Sequence, residues 1–161
     1  QVATIGGSVF GKYGFSDLIS ALLVCNASLV FYPSGEMNLE DYLKQPGFSK
    51  EILTHIIIKK CHHVSYFKKV GITALDYPII NVAITRCVNH DRYRVVVGSR
   101  AGVASFASDV MEALDNGERD FEKVAKLVSK MKFSDSLAAK ADYREHLAEI
   151  YVRRGLEEVN K

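Results

Sequence analysis

The sequence predicts an α+β fold, an antiparallel sheet packed with a cluster of three helices. Three observations carry this. Between residues 28 and 99, runs of β-branched and aromatic residues recur with turn residues between them, the pattern of strands. After residue 105, apolar side chains return at helical spacing in three separate segments. Before both lies a glycine-rich stretch, residues 2–17 (VATIGGSVFGKYGFSD), around which the rest of the first half is arranged.

In chain order, residues 2–4 read as a short apolar strand that breaks at Gly6 and Gly7 into a loop holding Gly11 and Gly14. Adjacent glycines allow positive φ and close approach of another group. Ser16 or Asp17 can cap the next helix, residues 18–24, which is apolar almost all round and therefore expected to be buried. Asn26 can end it. Residues 28–33 (SLVFYP) are strand-like, Pro33-Ser34-Gly35 turns the chain, and residues 36–38 can pair back before a short helix over 39–44 (LEDYLK). Residues 50–60 (KEILTHIIIKK) give the strongest strand signal, with His55 expected to be packed and satisfied there. Residues 61–71 form a further strand with Val64, Tyr66 and Lys68 on one face. Residues 75–86 and 93–99 come next as strands joined by the turn VNHD, an antiparallel hairpin, with Pro78 at a strand start or an edge. Helices are expected over 105–115, 119–132 and 141–159. There is no internal repeat, and the boundary between two lobes falls near residues 60–64.

Composition narrows the function classes. At 161 residues, 48% hydrophobic and 25% charged, the chain has the make-up of one ordinary globular domain or two small lobes. A net charge of +2 gives no footing for nucleic acid or a membrane surface. The one basic cluster, IKKCHH at 58–63, fits a solvated strand edge. Three cysteines without a CxxC speak against a disulfide scaffold or a structural zinc site and fit a reducing, cytoplasmic compartment. Any iron–sulfur cluster is then expected on another chain. No apolar run approaches the length of a membrane span.

The residues show no catalytic device: no Ser/His/Asp order, nucleophile elbow, Walker loop or ligand cluster stands out. No catalytic residue and no metal ligand is therefore assigned. That absence suits a protein whose chemistry belongs to a cofactor. Taken alone, Gly6-Gly7 is either a simple turn or a cradle whose amides face an anion. Asp17 is either a helix cap or an acceptor for hydroxyls.

The segments ATIGGS, SDLISALLVCNASLVFY and GEMNLEDYL resemble the second part of the FAD-binding domain of molybdopterin-dependent dehydrogenases. This is the family of the flavin subunits of xanthine dehydrogenase and carbon monoxide dehydrogenase. GGSVFGKYGFSD is especially similar to the bacterial xanthine-dehydrogenase type. YFKKVGITALDYPIINVAI, VVVGS and SLAAKADYREHLAEIYVRRGL, with Tyr143-Arg144, Leu147-Ala148 and Arg153-Arg154, resemble the C-terminal domain of the same subunits. The resemblance covers nearly the whole chain in the right order. It implies the second half of a vanillyl-alcohol-oxidase-type FAD-binding domain over residues 1–61 and the C-terminal α+β domain over 62–161. The family has a further βαβ half before this point. The opening at Gln1, mid-strand and without methionine, accordingly reads as a piece of a longer protein.

The resemblance also implies a site. Thr4, Ile5, Gly6, Gly7 and Ser8 match the segment that wraps the flavin phosphates and ribityl chain, with Ser8 where the family usually has asparagine. Asp17 matches an aspartate that accepts bonds from flavin hydroxyls. Ile52 and Leu53 match an apolar pair beside the cofactor, and Tyr77 falls on the segment that approaches the isoalloxazine ring. The implied role is electron transfer. A molybdopterin subunit hydroxylates the substrate, [2Fe-2S] clusters on a partner subunit carry the electrons to FAD, and NAD receives them. The alternative is a fragment without cofactor that serves as a structural or subunit-interaction module.

Overall fold

The computed structural model describes residues 4–161. The expected strand at residues 2–4 thus lies largely outside the described residues. Thr4 has extended backbone and caps a helix, α1 (Ile5–Phe10). Gly6 and Gly7 lie inside this helix, which corrects the loop expected there from the sequence. Neither has positive φ; in this segment the left-handed residue is Lys12, at φ +48°. The Thr4 side chain accepts the Gly7 amide and so starts the helix despite the poor helix propensity of glycine.

After α1 come α2 (Asp17–Val24), β1 (Ser28–Tyr32), β2 (Gly35–Asn38), α3 (Leu39–Lys44) and β3 (Ile52–Ile57). Ser16 caps α2 through Ile19 N–H, and Asn26 leaves it in the left-handed region at φ +53°. Strands β2-β1-β3 form an antiparallel three-stranded sheet with a register shift between Val30 and Phe31. The isoleucine-rich run is shorter and less buried than its composition implies. β3 is an edge strand, and His55, expected to be packed, is exposed with Nδ1 3.0 Å from Thr54 Oγ1.

The second sheet comprises β4 (His63–Val70), β5 (Ile80–Cys87), β6 (Arg92–Gly98) and β7 (Ser105–Phe106), all antiparallel and in chain order. The hairpin expected from VNHD is present, with Val82 opposite Val97 and Ile84 opposite Val95. Residues 75–79 do not extend β5; they form a loop, and Pro78 lies before the strand. Ser105 and Phe106, expected to open a helix, instead pair with β6, and α4 (Ser108–Asp115) begins after them. The next helix is also shorter than its spacing suggests. α5 (Phe121–Lys126) tightens into a 3-10 turn over Leu127–Lys130. α6 (Ala141–Val159) has the expected bounds, but its buried face runs through Arg144, Leu147, Ala148, Val152, Leu156 and Val159, leaving Tyr143 exposed.

β5 and β6 are buried on both faces because alternate residues serve two cores. Ile80, Val82, Ile84, Val95 and Val97 pack with the three C-terminal helices. Ala83 and Val96 face the other way, against α2, β1 and α3, where Ile19, Leu22, Leu29, Phe31 and Tyr42 lie. The helix α2 is fastened to β5 at both ends. Ser20 Oγ donates to Asn81 Oδ1 at 2.6 Å, and Thr85 Oγ1 donates to the Val24 carbonyl at 3.0 Å. α2 therefore runs parallel to β5. Arg144 closes the far side: 6% exposed, it donates to the carbonyls of Ile79 (2.8 Å), Ser134 (2.7 Å) and Arg100 (3.2 Å).

Candidate functional site

The first group of residues expected from the sequence sits on α1. Thr4 Oγ1 accepts from Gly7 N at 3.0 Å, and Ser8 N donates to the Thr4 carbonyl at 3.0 Å. The amides of a helix's first turn have no carbonyl of their own helix ahead of them. Gly7 is satisfied by the cap; Ile5 and Gly6 supply the other amides of that turn. A Cβ at Gly6 would meet nothing within 4 Å, so a ligand can approach the backbone there without meeting a side chain. Ile5, Gly6 and Ser8 are partly or largely open to solvent. The helix start thus presents open main-chain donors in a helical conformation, where a loop was expected.

Residues 11–16 lead from α1 to α2 and are held on both sides. Lys12 Nζ donates to the carbonyls of Gln45 and Gly47, both at 2.9 Å, and lies 4.1 Å from the Tyr42 ring centroid. Burial lowers the Lys12 ammonium pKa and raises that of the Tyr42 phenol. Tyr42 in turn donates to the Phe10 carbonyl at 2.9 Å. On the other side Gly14 accepts from Ser99 N at 2.9 Å.

Asp17, the first residue of α2, is not its cap; Ser16 fills that position. Its Oδ1 accepts from Asn81 Nδ2 at 2.9 Å, and its Oδ2 lies 3.3 Å from Lys69 Nζ. A carboxylate with one oxygen on a buried amide and the other beside a partly exposed ammonium is fixed in position yet reachable. Lys69 and Asn81 are the members that the sequence did not disclose. They come from β4 and β5, and Asn81 is 64 positions from Asp17, so no local spacing could have pointed to them.

Tyr77 is 72% exposed. Its ring lies 4.3 Å from that of Phe15, which stacks in turn on Tyr13 at 5.3 Å and 15°. The three rings form an aromatic shelf beside the start of α2. The alternation Tyr13-Gly14-Phe15 was the available signal for it, since residues two apart around a glycine can project together. Below Tyr77, Asp76 Oδ2 accepts from Thr73 N at 2.9 Å and shapes the loop. Ile52 and Leu53 open β3, opposite Tyr32 and Phe31. Leu53 packs on the second core, whereas Ile52 is 67% exposed. α1 packs on both α2 and β3. Thr4–Ser8, Asp17 and the Ile52–Leu53 pair therefore belong to one packed unit, with Tyr77 joined to it through Phe15.

Comparison with known proteins bears on this unit. Residues 1–60 match the family described as the FAD binding domain in molybdopterin dehydrogenase. The family resemblance read from the sequence therefore holds. An Escherichia coli K12 relative, uncharacterized protein YgfM, is 30% identical over 108 residues, which are 67% of this chain and 40% of the relative. Among solved structures, carbon monoxide dehydrogenase from Hydrogenophaga pseudoflava matches with a TM-score of 0.83 at 17% identity. Reconstituted CO dehydrogenase from Oligotropha carboxidovorans (TM-score 0.81, 21% identity) and quinoline 2-oxidoreductase from Pseudomonas putida 86 (0.82, 18%) share the fold as well. Each match covers 98% of this chain and 60% of the other. The α+β fold is that of these dehydrogenase chains. The present chain spans less than half the length of the curated relative.

Proposed function

We propose that this chain is the FAD-carrying part of an electron-transfer subunit of a molybdenum hydroxylase. Residues 1–61 form the cofactor-facing part, and residues 62–161 support it and contact partner subunits. The observation that carries this is the family match over residues 1–60 together with the helix start at Thr4, where Gly6 leaves the backbone open. Thr4, Ile5, Gly6, Gly7 and Ser8 would receive the flavin phosphates and ribityl chain. Asp17, already oriented by Asn81 and Lys69, would accept from flavin hydroxyls. Ile52 and Leu53 would give an apolar wall, and Tyr77, braced by Phe15, would cover the ring. When bound, FAD supplies the step between one-electron carriers and a two-electron acceptor; the protein's part is to position it and exclude water.

On this reading the molybdopterin and [2Fe-2S] clusters reside on partner subunits, NAD accepts the electrons as in xanthine dehydrogenase, and the complex is cytoplasmic. Among the described residues no helix is long and apolar enough to cross a membrane. A second reading, a subunit-interaction module without cofactor, draws on the same loop: Leu75 is 97% exposed, and Ile72 and Tyr77 beside it are also exposed.

Titration with FAD, monitored by flavin absorbance and fluorescence, separates the two. It is carried out on this chain and on a form with any residues that precede Gln1. Ser8→Asn restores the amide usual in the family and should tighten FAD binding several-fold, the worth of a roughly 1 kcal/mol hydrogen bond. If neither form binds FAD, the flavin reading fails and the interaction module replaces it.

A further inference from the structure

Where the chain passes from the three-stranded to the four-stranded sheet, three side chains with metal-binding atoms converge. His63 and Cys87 are directly opposite on the antiparallel strands β4 and β5, so their side chains share a face. Val88 N donates to the His62 carbonyl at 3.2 Å and continues the ladder one step further. Cys61, two residues before His63, is brought to the same side. One ligand atom from each of Cys61, His63 and Cys87 lies within 4.8 Å of the other two.

The distances suit an ion better than a covalent bond. The two sulfurs are 3.7 Å apart. Two thiolates at about 2.3 Å from a tetrahedral zinc ion stand about 3.8 Å from each other, whereas a disulfide needs about 2 Å. A second, independent observation concerns the histidine: His63 Nδ1 is buried and without a hydrogen-bond partner among the described residues. A buried polar atom without a partner is costly and calls for an explanation. We propose that Cys61, His63 and Cys87 form a binding site for a borderline-soft divalent cation, Zn2+ by chemical class.

Charge is consistent with such a site. Two thiolates and a neutral imidazole balance a divalent cation. Lys59, Arg92 and Arg94 line the same cavity, of about 320 Å3. The fourth position of a tetrahedral ion falls to water. The ion would tie the start of β4 to the end of β5, at the junction of the two sheets. Spacing along the sequence hides this group, because 26 residues separate the cysteines and strand register alone brings them together.

The test is a titration of the reduced chain with Co2+, and then competition with Zn2+. One equivalent of Co2+ should give the sulfur-to-cobalt charge-transfer band and the visible bands of a tetrahedral site, and Zn2+ should abolish both. Partners outside the ligand set of a metal site are already worth about 10- to 100-fold in affinity, so Cys61→Ser, Cys87→Ser and His63→Ala should each weaken binding at least about tenfold. Cys25 lines the same cavity but stands outside the group of three ligands, so Cys25→Ser should keep the band. Circular dichroism of each variant separates loss of the site from loss of the fold, and Zn2+ should raise the melting temperature of the unsubstituted chain but not that of Cys87→Ser. The proposal is overturned by absence of the charge-transfer band, by an undiminished band in a folded Cys87→Ser or His63→Ala variant, or, when dioxygen is admitted as oxidant, by a Cys61–Cys87 disulfide forming in preference to uptake of equimolar Zn2+.

Discussion

Gly98 is paired with Asn81 across β5 and β6, and its missing side chain gives the Asn81 amide its place. A Cβ at position 98 would collide with Asn81 Oδ1 and stand 2.6 Å from Ser20 Oγ. Asn81 is fully buried and joins Ser20 and Asp17 of α2 to the sheet. The position of Asp17 in the candidate site thus depends on a glycine in another strand.

Gly98→Ala should displace the amide, leave buried polar atoms without partners and destabilise the protein by about 2–4 kcal/mol. Urea unfolding monitored by circular dichroism measures this. FAD affinity should fall in the same variant, because Asp17 loses its orienting donor. A loss of stability below about 1 kcal/mol would mean that the sheet yields at no cost, and that Asn81 does not hold Asp17.

The turn between β5 and β6 gives a pH-dependent term. Hydrogen bonds from Arg86 (2.7 Å) and Arg119 (2.8 Å) hold the Asp91 carboxyl below its ordinary pKa. A depressed folded-state pKa contributes stability above the unfolded value, about 3.9, and that contribution disappears as pH falls through the lower folded value. Asp91 is nearly half exposed, so solvent screening keeps the contribution to no more than about 1 kcal/mol. Asp91→Asn keeps a residue that tolerates φ +48° at this position. The variant should be less stable than the parent at about pH 7, and the gap should be smaller near pH 3, as measured by urea unfolding at both pH values. An equal gap at both would show that the carboxylate charge plays no part.

Much of the fold was legible where local pattern and tertiary environment agree. α3 has the bounds read from LEDYLK, and α6 those read from its spacing, because a cap or a polar loop flanks each and the apolar face is regular. The hairpin of β5 and β6 was legible for the same reason. α1 was not: two adjacent glycines oppose a helix, and only the Thr4 cap and packing against α2 and β3 stabilise it. Ser105 and Phe106 have helical spacing with the residues of α4, yet the open edge of β6 takes them as a strand. In the site, Thr4–Ser8 and Asp17 could be read from a family segment. Asn81, Lys69 and Gly98 could not, because their roles exist only after β4, β5 and β6 have been brought under α2.

Gly6 offers a way to separate the cofactor role from the fold. In the structure a side chain at position 6 would enter open space, and the residue lies in the first turn of a helix with ordinary helical backbone. Leucine is a better helix former than glycine by somewhat under about 1 kcal/mol, so Gly6→Leu should leave the melting temperature unchanged or slightly raised. On the proposed function the same side chain would occupy the space through which a phosphate reaches the helix-start amides, and FAD affinity should fall by at least about tenfold, the loss of roughly 1.4 kcal/mol or more. Tyr77→Ala is the companion substitution. Its ring is largely exposed and packs on that of Phe15, so stability should change little while the bound flavin becomes more fluorescent as the aromatic neighbour is removed. Paired titrations and thermal melts on the two variants decide the matter. A Gly6→Leu protein that binds FAD as the parent does would place the phosphates elsewhere and remove Thr4–Ser8 from the site, whatever became of Tyr77.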